Sequence, residues 1–322
     1  MYVHALPGLR PRKGVLFGED RKTGGITLRH LLAIRDLAQA ELQALVARGL
    51  ALREGATPAK AQGAIATVFY EDSTRTRLSF QQAGALLGLH HLSISTEGSS
   101  IQKGESVEDT LRTVAALGAR VAAVRSPWGL SLQALTDLPI QLVNAGDGWA
   151  QHPTQAIADL IAVKREFGEM QGRTLLIVGD ILHSRVARSN AEGFRALGAR
   201  VLLAGPPTLL PPGLAQGLGA EEVQLEEGLR QADVCMVLRL QRERQERGYL
   251  PSIAEYRRLW GLTAARAALL HEGAVILHPG PQNRDVEIDD ELVAAPQSRI
   301  AEQITSGVYG RAAVLEAMLD AH

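Results

Sequence analysis

The residues best suited to chemistry begin at Ser73, directly after an apolar run that is typical of a strand. The run Ser73-Thr74-Arg75-Thr76-Arg77 combines hydroxyl and guanidinium groups. A helix that starts here presents free backbone N–H groups and a partial positive charge, which suit a phosphate. The hydroxyl groups and the planar fork of Arg75 add donors for the same anion. The run predicts a phosphate site at a helix start with Ser73 as N-cap, although Ser and Thr also cap helices that bind nothing.

A second candidate segment runs from Ser99 to Ser106 and contains Lys103. Its composition resembles that of a phosphate loop, but Lys103 precedes Gly104 and Glu105. A P-loop has the order Gly-Lys-Ser or Gly-Lys-Thr, so the segment is not one. Lys103 is a candidate point charge for a substrate anion. The competing interpretation is a solvated loop ahead of a capped helix.

A histidine and a glutamine form a third candidate segment, at a predicted junction between a strand and a helix. His152 and Gln155 are three residues apart, so their side chains project in similar directions from a first helical turn. The histidine is suited to polarising a carbonyl group, and the glutamine to bonding an amide group. A lone histidine is more often a structural hydrogen-bond partner, so this segment alone leaves both interpretations open.

Further arginines and a proline-rich turn follow other predicted strands. Ligands bind at the carboxyl ends of strands in open parallel sheets. The residues at such positions are Arg125, Arg185, Arg239 and the run His278-Pro279-Gly280-Pro281. Together with Arg75 they place several guanidinium groups at the same edge of the predicted sheets. This arrangement favours a small molecule with more than one negative charge.

The elements that must position these side chains alternate between short apolar runs and longer helical stretches. Such alternation is typical of βαβ units, and unbroken apolar runs are typical of parallel strands covered on both faces. Strands are predicted at residues 64–70, 91–95, 121–125, 140–144, 174–178, 201–204, 234–238 and 274–277. Helices are predicted at residues 75–87, 107–117, 153–167, 185–197 and 310–319. The prediction is an α/β fold of two domains, each a mainly parallel sheet flanked by helices.

Composition argues against several classes of protein. The chain of 322 residues has a formal net charge of -1, unlike the basic surface of a nucleic-acid-binding protein. Its one cysteine, Cys235, excludes an internal disulfide framework and a Cys-based zinc cluster, and it favours the reducing cytoplasm. We expect neither a membrane span nor a secretory signal. Gly-x-Ser-x-Gly and His-Glu-x-x-His motifs are absent, and Gly179 is not followed by the glycines of a dinucleotide site.

Taken in order, these segments resemble the transcarbamoylase family. The run from Ser73 to Arg77 is similar to its carbamoyl-phosphate signature, and residues 99–106 are similar to the lysine loop of its aspartate-specific members. Residues 152–155, 239–244 and 278–281 continue a resemblance that spans about residues 29–315. It implies carbamoyl transfer from carbamoyl phosphate to the amine of L-aspartate in pyrimidine synthesis, without a cofactor or metal. It also implies a cytoplasmic homotrimer with shared active sites, and regulatory chains or a dihydroorotase as candidate partners.

The resemblance also implies roles for matching residues. The residues that match the phosphate grip are Ser73, Thr74, Arg75 and Thr76. The residues that match those around the carbonyl oxygen are Thr76, Arg125 and His152, and Gln155 matches the contact to the carbamoyl amine. The residues that match the aspartate carboxylate site are Arg185, Arg239 and Gln241, and the loop whose carbonyls help bind the substrates is Pro279, Gly280 and Pro281. Ser99 and Lys103 match residues that reach into a neighbouring subunit's site, and the implied catalytic set is Arg75, Thr76, Lys103, Arg125 and His152.

The same resemblance implies how the chain is divided. Residues 1–152, completed by about residues 306–322, would bind carbamoyl phosphate, and residues 153–305 would bind aspartate. The family's fold also returns its last helix to the first domain. Two positions depart from the family pattern: Asp72 stands where many relatives have proline, and Asp285 where glycine is frequent. Asp285 brings a charge close to the predicted aspartate site.

Three other functions fit the sequence less well. An ornithine carbamoyltransferase shares the Ser-Thr-Arg-Thr-Arg element but carries His-Cys-Leu-Pro and Ser-Met-Gly elements that this chain lacks. Its cationic substrate would also fit poorly against Arg185, Arg239 and Lys103. A catalytically silent, transcarbamoylase-like subunit would be expected to have lost Arg75, Lys103 or His152. A dinucleotide-dependent dehydrogenase would need the missing glycine fingerprint.

Overall fold

The structure is a computed structural model that describes residues 26–96, 99, 102, 104–127, 130–241 and 252–319. Its first sheet contains β1 (Ala64–Phe69), β2 (His90–Ser95), β3 (Ala119–Ser126) and β4 (Gln141–Asp147). Its second sheet contains β5 (Thr174–Val178), β6 (Arg200–Ala204), β7 (Glu221–Glu222), β8 (Val234–Val237) and β9 (Val275–Leu277). The strand orders are β2-β1-β3-β4 and β7-β6-β5-β8-β9. All these strand pairs are parallel.

Helices connect the strands and cover the sheets. The longer ones are α1 (Gln39–Arg53), α2 (Thr74–Leu87), α3 (Val107–Ala116), α4 (Pro153–Phe167), α5 (Arg185–Ala196) and α8 (Ile253–Trp260). The shorter ones are α6 (Leu214–Gly217), α7 (Leu225–Gln231), α9 (Ala264–Ala267) and α10 (Asp290–Val293). The last is α11 (Ile300–Leu319), and 3-10 turns lie at Ile34–Asp36 and Leu132–Leu135. No helix in the described part of the chain has the length and apolarity needed to cross a membrane.

The central strands are buried on both faces, which explains why their sequences are unbroken apolar runs. Every residue of β1 and of β8 is buried. Helices α2 and α3 contact the first sheet, and α5 and α7 contact the second. The pairing of β1 with β3 places Arg125 beside Phe69 at the carboxyl ends of both strands. The register of the first sheet therefore brings the predicted oxyanion donor next to the loop that leads to Ser73.

The last helix returns to the first half of the chain, as the resemblance implies. Helix α11 packs against α1, α2 and α4, and the N–H of Leu28 donates to the carbonyl of Ala317. Helices α1, α4 and α11 approach closely at glycines: a methyl group built on Gly49 would lie 2.4 Å from Cδ1 of Ile161, and one on Gly310 would lie 3.0 Å from it. Because Gly49 and Gly310 have no side chain, the backbones of α1 and α11 can pack directly against the side chain of Ile161 on α4.

The predicted elements are present with small shifts in their bounds. The strand at 174–178 and the helix at 153–167 coincide with β5 and α4. Helix α11 begins ten residues before the predicted start at 310, and β7 was not predicted. The strands of the first sheet span residues 64–147 and those of the second span residues 174–277. The predicted boundary between residues 152 and 153 falls between these spans and stays a prediction.

Candidate active site

Several predicted site residues in the described part of the chain lie near the ends of strands of the two sheets. Arg125 is the penultimate residue of β3, and the start of α2 follows β1. His152 immediately precedes α4, and Arg185 is the first residue of α5. Arg239 follows β8 by two positions. The carboxyl edges of both sheets thus supply the candidate site, which is the location expected for ligands in α/β folds.

The start of α2 leaves its first backbone N–H groups available to a ligand. Ser73 is the N-cap, as predicted, but its side chain makes no capping hydrogen bond. By contrast, the side chains of Ser106 and Ser184 accept hydrogen bonds from the first turns of α3 and α5. The first turn of any helix has N–H groups without partners in the helix. At α2 these groups and the buried Thr76 are suited to binding an anion.

The guanidinium of Arg75 is pressed against Gly280, so the two predicted substrate loops meet. A methyl group built on Gly280 would lie 1.8 Å from Nη1 of Arg75, and Gly280 has a φ of +63°. The left-handed backbone conformation favours glycine here, and a side chain at this position would displace the guanidinium of Arg75. Burial of Arg75 lowers the pKa of its guanidinium. The guanidinium nevertheless remains a cation at neutral pH.

The loop that carries Gly280 is held by a buried histidine. The N–H of Gly280 donates to Nδ1 of His278 over 2.8 Å, and Nε2 of His278 lies 3.3 Å from Oε1 of Glu287. Because Nδ1 accepts a hydrogen bond, the ring proton must sit on Nε2 and be donated to Glu287. Burial lowers the pKa of His278, while Glu287 opposes that shift. His278 thus fixes the loop that carries Gly280.

Glu71, which was not among the predicted site residues, joins two of the predicted substrate arginines. Its Oε2 lies 3.0 Å from Nη1 of Arg185 and 3.6 Å from Nε of Arg125. Arg185 also lies against Gly146, where a methyl group would come within 3.1 Å of the guanidinium carbon. Glu71 therefore joins an arginine of β3 to the first residue of α5. Its position two residues before Ser73 was the available signal.

The imidazole of His152 is buried in a strongly cationic environment. Its backbone N–H donates to Oγ of Ser189 over 2.8 Å, and its Nδ1 has no hydrogen-bond partner within the described chain. Burial lowers the pKa of His152 well below its usual value of 6.5, and Arg311, Arg125 and Arg185 lower it further. At neutral pH the ring is uncharged and has one N–H group to donate.

Two amide side chains of the predicted site are already held by hydrogen bonds. Nε2 of Gln155 donates to Oδ1 of Asp159 over 2.7 Å. Nε2 of Gln241 donates to the carbonyl of His183 over 3.0 Å, which ties Gln241 to the turn before Arg185. Neither Asp159 nor His183 was among the predicted site residues. Both act on predicted residues from positions that hydrophobic patterning does not reveal.

The predicted lysine loop, residues 99–106, is described at residues 99, 102 and 104–106. Oγ of Ser99 donates to the carbonyl of Thr96 over 3.2 Å, so its hydrogen bond stays within its own loop. Lys103 lies outside the described residues, as do residues 242–244 of the motif that begins at Arg239. These parts of the site remain predictions.

Asp285 adopts a backbone conformation that glycine prefers. Its φ is 59°, in the left-handed region, where Asp is among the few other residues that occur. Its Oδ1 accepts the N–H of Asp290 over 3.2 Å and lies 3.8 Å from Nη1 of Arg257. The charge is thus engaged by Arg257, on the neighbouring helix α8. The carboxylate of Asp285 is thus directed to Asp290 and Arg257.

This arrangement suits a small anionic substrate that carries a reactive carbonyl group. The open helix start and Arg75 are suited to a phosphate, and the buried Thr76 and the neighbouring Arg125 and His152 are candidate donors for a developing oxyanion. Arg185 and Arg239, from the second sheet's edge, add positive charge for further carboxylates.

Two family descriptions match nearly the whole of the described chain. Residues 29–165 match the family described as aspartate/ornithine carbamoyltransferase, carbamoyl-P binding domain. Residues 171–318 match the one described as aspartate/ornithine carbamoyltransferase, Asp/Orn binding domain. The join between the two matches lies at the end of α4.

Curated relatives and solved structures agree with these matches. The aspartate carbamoyltransferase catalytic subunit of Myxococcus xanthus is 46% identical over 295 residues, which cover 90% of this chain and 99% of that protein. The same subunit of Pelotomaculum thermopropionicum is 42% identical and covers 90% and 96%. Aspartate transcarbamoylase from Trypanosoma cruzi in complex with carbamoyl phosphate superposes with a TM-score of 0.82 at 28% identity, covering 91% and 97%. Ornithine carbamoyltransferase from Pyrococcus furiosus shares the fold, with a TM-score of 0.80 at 22% identity, covering 92% and 99%.

Proposed function

Because this chain belongs to the aspartate/ornithine carbamoyltransferase family, we propose that it transfers the carbamoyl group of carbamoyl phosphate to the amine of L-aspartate. The products are N-carbamoyl-L-aspartate and phosphate, and the reaction serves pyrimidine synthesis. The observation that carries the choice of aspartate is the identity of 46% and 42% to two aspartate carbamoyltransferase catalytic subunits.

Carbamoyl phosphate would bind at the edge of the first sheet. Its phosphate fits the open N-terminus of α2, with Ser73, Thr74 and Thr76 as hydroxyl donors and Arg75 as the charged fork. The carbamoyl oxygen then lies within reach of Arg125 and His152, and the carbamoyl amine faces Gln155. The contact between Arg75 and Gly280 supports this placement, because it joins the phosphate grip to the loop of Pro279, Gly280 and Pro281.

Aspartate would bind against the edge of the second sheet. Arg185, Arg239 and Gln241 face its two carboxylates, and the carbonyls of the 279–281 loop accept hydrogen bonds from the substrates. In the structure, Nη1 of Arg185 forms an ion pair with Oε2 of Glu71 over 3.0 Å. An aspartate carboxylate competes with Glu71 for that guanidinium. Glu71 thus holds Arg185 and Arg125 near one another before substrate arrives.

The reaction is an acyl transfer that needs oriented reactants and oxyanion donors. The amine lone pair of aspartate forms a bond to the carbamoyl carbon, and the carbonyl electron pair moves onto oxygen. Collapse of this tetrahedral species breaks the bond to phosphate, which leaves as the anion, and the amine loses a proton. Each well-placed donor to the oxyanion is worth about 10²–10³ in rate, and holding the two reactants in line supplies much of the remainder.

The product formed distinguishes this function from its alternatives. We expect N-carbamoyl-aspartate from carbamoyl phosphate and L-aspartate, and no citrulline when L-ornithine replaces aspartate, with products measured by mass spectrometry. Formation of citrulline alone would agree with the family but would contradict the specificity for aspartate that is assigned to Arg185, Arg239 and Gln241. If folded protein forms neither product, the result would support a catalytically silent subunit.

The resemblance also supports an assembly and a location. We infer a cytoplasmic homotrimer in which Ser99 and Lys103 complete the site of a neighbouring subunit. Regulatory chains or a dihydroorotase are candidate partners of that trimer. We further infer a carbamoyl-phosphate domain of residues 1–152 with about 306–322, and an aspartate domain of residues 153–305.

Mixed trimers test the shared sites. Lys103→Ala and His152→Ala chains are each expected to be nearly inactive, because every site lacks one group. After mixing, about a quarter of the interfaces join an intact Lys103 to an intact His152, so activity returns. Activity is measured after unfolding and refolding the two variants together. Mixed trimers verified by mass that show no rescue would contradict shared sites.

A further inference from the structure

A buried carboxylate that the proposed reaction does not use lies one helical turn after Gln155. Asp159 on α4 has no exposed surface. Its Oδ1 accepts from Nε2 of Gln155 over 2.7 Å and from Nε2 of Gln303 over 2.9 Å. Its Oδ2 accepts from Nδ2 of Asn190 over 2.9 Å. The carboxylate therefore gathers amide groups from α4, α5 and α11.

The charge of Asp159 is balanced by a buried cation. Arg311 on α11 is 3% exposed, donates to the carbonyl of Gly307 over 2.8 Å and lies over the ring of Phe80. Burial raises the pKa of Asp159 to about 6, while its amide donors and Arg311 oppose that shift. At neutral pH the carboxylate is therefore mainly ionised.

An ionised carboxylate accepts hydrogen bonds and cannot donate them, so it dictates how neighbouring amides are turned. Gln155 and Gln303 must both present their NH₂ groups to Asp159, and their oxygens must point elsewhere. For Gln303 the consequence is visible, because its Oε1 accepts the N–H of His278 over 2.8 Å. Oε1 of Gln155 has no partner in the described part of the molecule.

We propose that Asp159 is a positioning residue that turns the oxygen of Gln155 toward the active site, where it accepts a hydrogen bond from the carbamoyl NH₂ group. The amide of Gln155 would otherwise be free to flip and to present its own NH₂ to the substrate's donor. This inference rests on the proposed function and deepens it. It assigns recognition of the carbamoyl amine to a pair, Gln155 with Asp159.

Acetyl phosphate provides a matched probe, because a methyl group replaces the carbamoyl NH₂ and the carbonyl and phosphate are retained. We expect the wild-type protein to bind carbamoyl phosphate more tightly than acetyl phosphate, as measured by calorimetry. In Asp159→Ala the ratio of the two affinities falls by about five- to tenfold, the value of one hydrogen bond. Asp159→Ser, whose shorter side chain leaves room for water, gives the same fall if Asp159→Ala does not fold.

Asp159→Asn is the conservative variant and is expected to keep most of the ratio. Its oxygen can take the place of Oδ1 and serve both Gln155 and Gln303. Its NH₂ group then faces Asn190, whose Oδ1 has no hydrogen-bond partner among the described residues and can turn toward it. The opposite orientation would set the NH₂ group against two donors.

Asn190→Ala controls for a general loss of order around Asp159. It removes the amide that donates to Oδ2 of Asp159 but leaves the contact between Asp159 and Gln155, so the affinity ratio should not change. A role in stability alone would lower the thermal unfolding temperature and weaken both ligands equally. An unchanged ratio in a folded Asp159→Ala or Asp159→Ser protein would overturn the proposal. If the wild-type protein forms no carbamoyl aspartate, the proposed function itself fails instead.

Discussion

Replacing Arg75 by alanine is expected to lower kcat/KM for carbamoyl phosphate by about 10²–10⁴-fold, because two charge-assisted hydrogen bonds are worth about 1.5–3 kcal/mol each. Arg75 stands at the open start of α2 and its guanidinium is half-buried. The loss should be confined to ligands that carry phosphate. Steady-state kinetics with each substrate varied in turn measure the loss of kcat/KM, and circular dichroism checks that the variant is folded. Near-normal turnover would remove Arg75 from the phosphate site.

Arg112→Ala is the matched arginine control, because that side chain pairs with Glu108 on the exposed face of α3. It should leave turnover unchanged.

A second variant displaces Arg75 without removing it. Gly280→Ala would place a methyl group 1.8 Å from Nη1 of Arg75, so the guanidinium must move and carbamoyl phosphate should bind more weakly. Gly273→Ala is its control, because Gly273 also has a positive φ, of +87°, but a methyl group there meets nothing within 4 Å. Equal effects of the two substitutions would attribute the loss to backbone strain alone.

The sequence predicts most strands and helices well, because parallel strands that are buried on both faces have unbroken apolar sequences. Strand β5 and helix α4 have the predicted bounds. Strand β7 was missed because its two residues, Glu221 and Glu222, are exposed and carry no apolar signal. The first half of α11 was missed because its buried face includes Gln303, Ser306 and Gly307. Polar and small residues on a buried face interrupt the period that identifies a helix.

The sequence points to candidate substrate-binding residues more readily than to the residues that orient them. Arg125 and Arg185 stand out because they follow apolar runs. Glu71 and Asp159 do not, because their importance depends on partners that the fold brings together. Asp159 contacts Gln303 across 144 residues of chain, and no local pattern records such a contact. Orienting groups become recognisable only when the three-dimensional structure shows which donors meet which acceptors.

His152 is expected to act as an uncharged hydrogen-bond donor, so His152→Ala should lower kcat by about 10²–10³-fold, the value of one oxyanion donor. Burial, with Arg311, Arg125 and Arg185, keeps its pKa well below 6.5. The rate should therefore show no titration of this residue between about pH 6.5 and 8. His152→Asn keeps an N–H donor without a titrating ring, so it should retain more activity than His152→Ala and the same pH profile in this range.

Stability gives an independent measure of the same charge state. The unfolded chain binds a proton at His152 near pH 6.5, and the folded protein does so only at lower pH. The free energy of unfolding contributed by this site is therefore fully present above pH 6.5 and falls as pH decreases below it. His152→Asn lacks this contribution to the pH dependence of stability. Denaturation of the wild type and of His152→Asn is therefore measured over the same pH range, and the difference between their free energies of unfolding reports His152 without the contributions of Asp159 and the other histidines. A difference that does not change between about pH 5 and 8 would show that His152 keeps its ordinary pKa in the folded protein. A rate that rises with an ionisation near pH 6.5 in the wild type only would show that the uncharged ring works as a general base.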